Sequence, residues 1–175
     1  MTKTHTIVRH GLCSLAVAVV CAGQAFAQSS RATAYPVSLS GPRVGATFLS
    51  PGVADKLRDH QIDAGWALSQ FGWQFEKRIK TGPSGLSAVN EWVLLAGGLE
   101  QGIVVPSLSW LVGLRTGSGM EFGLGPNLTP AGVALAMAGG VTISKGALNV
   151  PFNVAVVPSR AGMRVSVLTG FNMRR

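Results

Sequence analysis

The chain has 175 residues, 15 basic against 7 acidic, with 47% hydrophobic and only 13% charged residues. Its two cysteines are Cys13 and Cys21, so nothing beyond residue 21 can supply a disulfide, a thiolate nucleophile or a cysteine metal ligand. Beyond residue 27 the basic residues are spread from Arg31 to Arg175 rather than gathered on one face among aromatics, which argues against nucleic acid as a partner.

Lys3 and Arg9 precede the apolar run "GLCSLAVAVVCAGQAFA", which ends in the small-x-small pattern Ala25-Phe26-Ala27. This predicts a secretory signal over residues 1–27, cleaved before Gln28. Val20 is too bulky to precede a lipoprotein cysteine at Cys21. Lys3 and Arg9 leave with the signal, so 13 basic residues then face 7 acidic ones. The Ser/Ala/Pro-rich residues 28–42 read as a flexible periplasmic leader, and residues 43–175 as one domain.

Within that domain "RVGATFLS" at 43–50 is a first short strand. "PGVADKLRDHQIDAGWA" breaks the alternation, and Val53 and Leu57 fit one or two turns of helix, a short surface helix or capped loop. From Ala67 a period of two takes over. Strands are expected at 67–80, 89–99, 103–115, 120–128, 132–143, 148–157 and 162–173, with turns at "TGPSG", "TGSG", "SKG" and "PSRAG". Pro106 and Pro151 fall inside two of these strands, where local bulges are expected.

Each strand has one apolar and one small or polar face. Over 67–80, Phe71, Trp73, Phe75 and Ile79 alternate with Gln70, Gly72, Gln74, Glu76 and Arg78. Gly123, Gly125, Gly140, Gly170, Ser107, Ser109, Ser166 and Ala134 recur opposite the other apolar faces. Small residues suit the crowded interior of a narrow barrel, whereas a soluble exterior is stocked with Lys, Glu, Gln and Thr. From Gln101 to Pro158 only Arg115, Glu121 and Lys145 are charged, about a fifth of the density of a soluble domain. No later window has the apolar length of a transmembrane helix, which leaves the closed β-barrel as the architecture that satisfies its backbone in lipid.

The fold expected is therefore all-β: an antiparallel up-and-down barrel of about eight strands with a short helical insertion after the first. Glu76, Arg78, Arg115, Glu121 and Arg164 are expected to form a neutralising charge network inside it, a closed polar plug rather than a wide pore. Phe71, Trp73, Phe75, Trp110, Phe122 and Phe171, with Trp92, are expected on the outer face, where such rings favour the headgroup zones of a bilayer.

"SQFGWQFEKRI", "GLRTGSGMEFGLGPNL" and "NVPFNVAVVPSRAGMRVSVLTGFN" resemble segments of small outer-membrane β-barrel proteins of Gram-negative bacteria. The resemblance runs from about Arg43 to the end and rests on alternating strands and glycine turns. It implies an outer-membrane location, contact with the bilayer and with the outer-membrane assembly machinery, and no established activity. Many such barrels end on an aromatic residue; here Asn172, Met173, Arg174 and Arg175 follow Phe171.

Catalysis is not expected. His60 is the single histidine after the signal, beside Asp59 and near Asp63. A lipid-modifying outer-membrane enzyme using His60 as base is the third reading, behind a soluble periplasmic barrel with an apolar ligand inside. Neither a metal-ligand set nor a nucleotide loop is present, so no cofactor is expected. The leading reading is a monomeric outer-membrane barrel with a structural, envelope-stabilising or small-solute role. Its partner class is the bilayer, with anionic lipid or lipopolysaccharide.

Overall fold

The structure, a computed structural model, describes residues 36–80, 85–145 and 148–174. The predicted signal over 1–27 and the turn residues 81–84 and 146–147 lie outside the described residues. Nine strands are present among the described residues: β1 Pro36–Leu49, β2 Ala67–Lys80, β3 Ser87–Gly97, β4 Val105–Arg115, β5 Met120–Thr129, β6 Gly132–Lys145, β7 Leu148–Ser159, β8 Gly162–Gly170 and β9 Asn172–Arg174. From β1 to β8 each strand pairs antiparallel with the next in sequence, and β1 pairs also with β8, so the sheet closes; β9 pairs with β1 and β7. β8 and β9 form one stave interrupted at Phe171, giving an eight-stave up-and-down barrel without free edges.

β1 begins at Pro36, seven residues before the expected domain boundary at Arg43. Residues 36–42, read as leader, are strand because each faces a β2 partner, from Pro36 opposite Ile79 to Pro42 opposite Trp73. Their serines and prolines hide the alternation that the ladder imposes.

The expected bulges at Pro106 and Pro151 are absent. Pro106 faces Ala96 and Pro151 faces Thr142 in unbroken register. A proline needs only that its missing N–H point away from a ladder partner. On the other side of β4, pairing with β5 starts at Leu108, and on the other side of β7, pairing with β8 starts at Phe152. Both prolines therefore turn the bare nitrogen to a position without a ladder pair.

Inward glycines allow the wall to curve tightly. A Cβ on Gly45 would lie 1.9 Å from the Val167 carbonyl oxygen, and one on Gly72 would lie 1.9 Å from that of Leu94. Neither position has room for any side chain.

Strand direction gives the barrel two unlike ends. The termini end carries the start of β1, the end of β9 and the β2–β3, β4–β5 and β6–β7 turns; the helix end carries the other connections. The longest of these holds helix α1, Pro51–Arg58, with Pro51 at its first position and Lys56 and Arg58 in its last turn. α1 is the expected short helix after the first strand; its charged side faces out and its other face is buried, with Val53 and Leu57 packed against Leu49, Ala64, Leu68 and Val105. The helix thereby caps that mouth. The loop after β3 is tied to β2, because Glu100 accepts bonds from the Ser69 amide (3.0 Å) and hydroxyl, and Gln101 bonds Gly65 N (2.8 Å) and Ala67 O (2.6 Å).

Candidate functional site

Period-two alternation puts charge inside the wall. Glu76 and Arg78 on β2, Glu91 on β3, Arg115 on β4 and Glu121 on β5 all point inward, and Arg115 and Glu76 are each only 2% exposed. Arg115 is the centre of the group. Its Nη2 donates to Glu76 Oε2 at 2.9 Å and its Nε to Glu121 Oε2 at 2.7 Å, while its Nη1 lies 2.9 Å from Glu76 Oε1. Arg78 Nε lies 3.4 Å from Glu76 Oε1, and Asn153 Nδ2 donates to Glu121 Oε1 at 2.8 Å. In low dielectric such groups are tolerated when paired and hydrogen-bonded; Arg115, Glu76 and Glu121 have both, whereas Arg78 and Glu91 are held by charge alone.

Four of the five residues expected in the network are thus together, and Arg164 stands apart. Its guanidinium donates to Thr129 Oγ1 at 2.5 Å and to Asn127 Oδ1 at 2.9 Å. Asn127 in turn donates to Ser107 and Ser109 at 2.8 and 2.9 Å. The reason is longitudinal: Arg164 opens β8 at the helix end, whereas Arg115 closes β4 at the termini end. Two interior charges were not anticipated. Glu91 sits directly opposite Glu76 in the ladder, its carboxylate 3.9 Å from Arg115 Nη2. Arg43 bonds Gln74 Oε1 at 2.8 Å, Asn172 Oδ1 at 2.7 Å and Pro42 O at 2.9 Å. Glu91 alternates with Trp92, and Arg43 shares its face with Gly41 and Gly45 and alternates with Val44, the same signals that revealed Glu76.

Between this network and the helical cap lies a cavity of about 70 Å³, bordered by Gln70, Gln74, Glu91, Leu111, Ala136 and Arg164 among others. Ligand pockets typically measure about 300–1,000 Å³. This interior is packed, apolar around Val93, Leu111, Ala136 and Val157 and polar toward the Arg115 network, with room for water at most beside its unpaired amide and carboxylate atoms.

The outer face is the reverse. Phe71, Trp73, Phe75, Trp110, Phe122 and Phe171 are all exposed, Phe122 at 56%. Between them stand Val44, Leu94, Val112, Leu124, Leu135 and Val154, likewise exposed. Trp92 stacks on Trp110 with ring centroids 5.7 Å apart, and the Trp110 indole N–H donates to Asn90 Oδ1 at 2.9 Å. Single exposed apolar side chains are ordinary, but a band of them around a closed sheet is far larger than the patches soluble monomers carry.

His60 is exposed just beyond α1, and no side-chain hydrogen bond among the described residues joins it to a serine or carboxylate. Asp55 and Asp63, its neighbours, are engaged by Arg58 at 2.6 and 3.4 Å.

No protein-family model matches the chain, and no curated protein sequence does. Among solved structures, the fold is similar to Ail, the attachment invasion locus protein of Yersinia pestis, crystallised with the heparin analogue sucrose octasulfate. The two superpose with a TM-score of 0.52 over 80% of this chain and 98% of that one, at 10% sequence identity. At that identity the likeness is one of fold: a closed antiparallel eight-stave barrel.

Proposed function

We propose that the chain is an integral outer-membrane β-barrel, closed by its own side chains, that serves the envelope as a structural element rather than as an enzyme or a wide pore. One observation carries the reading: the wall turns its aromatic side chains and a continuous band of aliphatic ones outward, and turns all three carboxylates of its strands, Glu76, Glu91 and Glu121, inward with Arg43, Arg115 and Arg164. In water that arrangement is costly on both faces, and in lipid it is favourable on both. A soluble barrel with an apolar ligand needs the opposite orientation and a larger cavity, and is not favoured. The Arg115 network obstructs the termini end and α1 fills the helix end, which supports a closed interior. Short turns at the termini end and the longest connection at the helix end match the pattern in which the helix end faces outward from the cell.

The test is envelope fractionation after expression in a Gram-negative host. Recovery in the outer membrane, resistant to alkaline extraction, is expected. Recovery in the soluble periplasm would overturn the proposal.

A further inference from the structure

The outward face of the barrel is apolar on most strands, but on β1 to β3 one row near the termini end is not. Ser38 lies opposite Lys77 in the β1–β2 ladder, and Lys77 lies opposite Asn90 in the β2–β3 ladder. All three side chains are exposed. They border a surface cavity of about 260 Å³ whose remaining wall includes Phe75 and Trp92. Glu76, which also lines it, turns its carboxylate inward to Arg115.

The row is a set of donors without an acceptor. Among the described residues the Lys77 ammonium has neither an ion pair nor a hydrogen bond. Asn90 spends its carbonyl oxygen on the Trp110 indole, which directs its amide nitrogen to the role of donor. The exposed acidic residues Asp55, Asp59, Asp63 and Glu100 all lie in connections of the helix end, and Glu76, Glu91 and Glu121 are inside the wall. Lys145, exposed, closes β6 at the termini end, so the charge there complements an anion.

We infer that Ser38, Lys77 and Asn90 bind the phosphodiester of an anionic phospholipid whose acyl chain lies along Phe75 and Trp92. The amphiphile matches the cavity in both halves: a cation with two neutral donors for the phosphate, and an aromatic wall for the chain. Lys77 reaches headgroup level from an apolar strand face by lying along it, as long basic side chains do at interfaces. The site rests on the membrane reading above and adds to it a lipid class and a leaflet, the one at the termini end.

The experiment uses the chain from Gln28 onward with Trp66→Phe and Trp73→Phe, which leaves Trp92 and Trp110 as reporters. It is folded into vesicles of dibrominated phosphatidylglycerol, dibrominated phosphatidylcholine and their unbrominated mixtures, and quenching gives the relative affinity of the lipid beside these rings. A preference for phosphatidylglycerol of about three- to fivefold is expected, falling to near parity in Lys77→Gln and persisting in Lys145→Gln. Insertion with no preference, or a preference that survives Lys77→Gln or is lost equally in Lys145→Gln, overturns the site and leaves the barrel in lipid. Absence of quenching by either brominated lipid overturns both.

Discussion

Arg115 on β4 reaches past β3 to Glu76 on β2, with two of its nitrogens 2.9 Å from the carboxylate oxygens. Beneath that reach, Glu76 and Glu91 face one another across the β2–β3 ladder. Like charges directly opposite are destabilising. The guanidinium is what permits β2 and β3 to pair with carboxylates in register, so the charge network and that ladder are one device.

Arg115→Met should accordingly cost about 3–5 kcal/mol, because it strands buried carboxylates. Glu76→Gln added to it should return part of that loss by removing one uncompensated charge. Urea unfolding of vesicle-inserted protein reads both. A loss below about 1 kcal/mol for Arg115→Met, the range of exposed pairs, would show that these groups are solvated.

The outer face can be probed with one charge at two heights. Leu124, mid-strand on β5, is exposed on the outside. Leu124→Arg should cost about 2–4 kcal/mol for folding into a bilayer, while Leu148→Arg, at the exposed start of β7, should cost about 0–1. Equal tolerance of both changes is the behaviour of a wall surrounded by water and contradicts the lipid assignment.

The cap makes a separate demand. Leu57 is almost fully buried against Leu49, Leu68 and Val105. Leu57→Ala removes that packing and should cost about 2–5 kcal/mol, with increased hydrogen exchange confined to α1 and the helix-end loops. Exchange unchanged in that region would mean that α1 rests on the mouth without filling it.

Glu100 gives a pH signature outside the membrane span. Hydrogen bonds from the Ser69 hydroxyl, then from its amide, hold the Glu100 carboxyl down to about 2. A depressed carboxyl contributes its stabilisation in full above the ordinary carboxylate range and loses it as pH falls toward about 2. A carbon-detected titration should place the Glu100 midpoint near 2, with the Ser69 amide shifting in parallel. A midpoint in the ordinary range would break the link between the loop after β3 and the start of β2.

Much of this design is written in the alternation. "SQFGWQFEKRI" already separates Phe71, Trp73 and Phe75 from Gln74, Glu76 and Arg78, and β2 has the expected bounds at Ala67 and Lys80. Less legible was whatever depends on which strand lies beside which. Arg164 shares the inward face with Arg115 but not its height, since height is set by the direction of each strand. Pro106 and Pro151 looked like defects because a sequence does not show which side of a strand lacks a partner. Pro36 to Pro42 looked like leader because serine and proline carry weak strand propensity, and only the β2 ladder makes them strand.

The most direct measurement is the folding of urea-solubilised chain from Gln28 onward, in buffer alone and with short-chain phosphatidylcholine vesicles. Circular dichroism and gel mobility with and without boiling give the readout. The account expects β structure and a compact, heat-shifted band only when lipid is present. The same β fold in buffer without lipid or detergent, monomeric and with no heat shift, would contradict it.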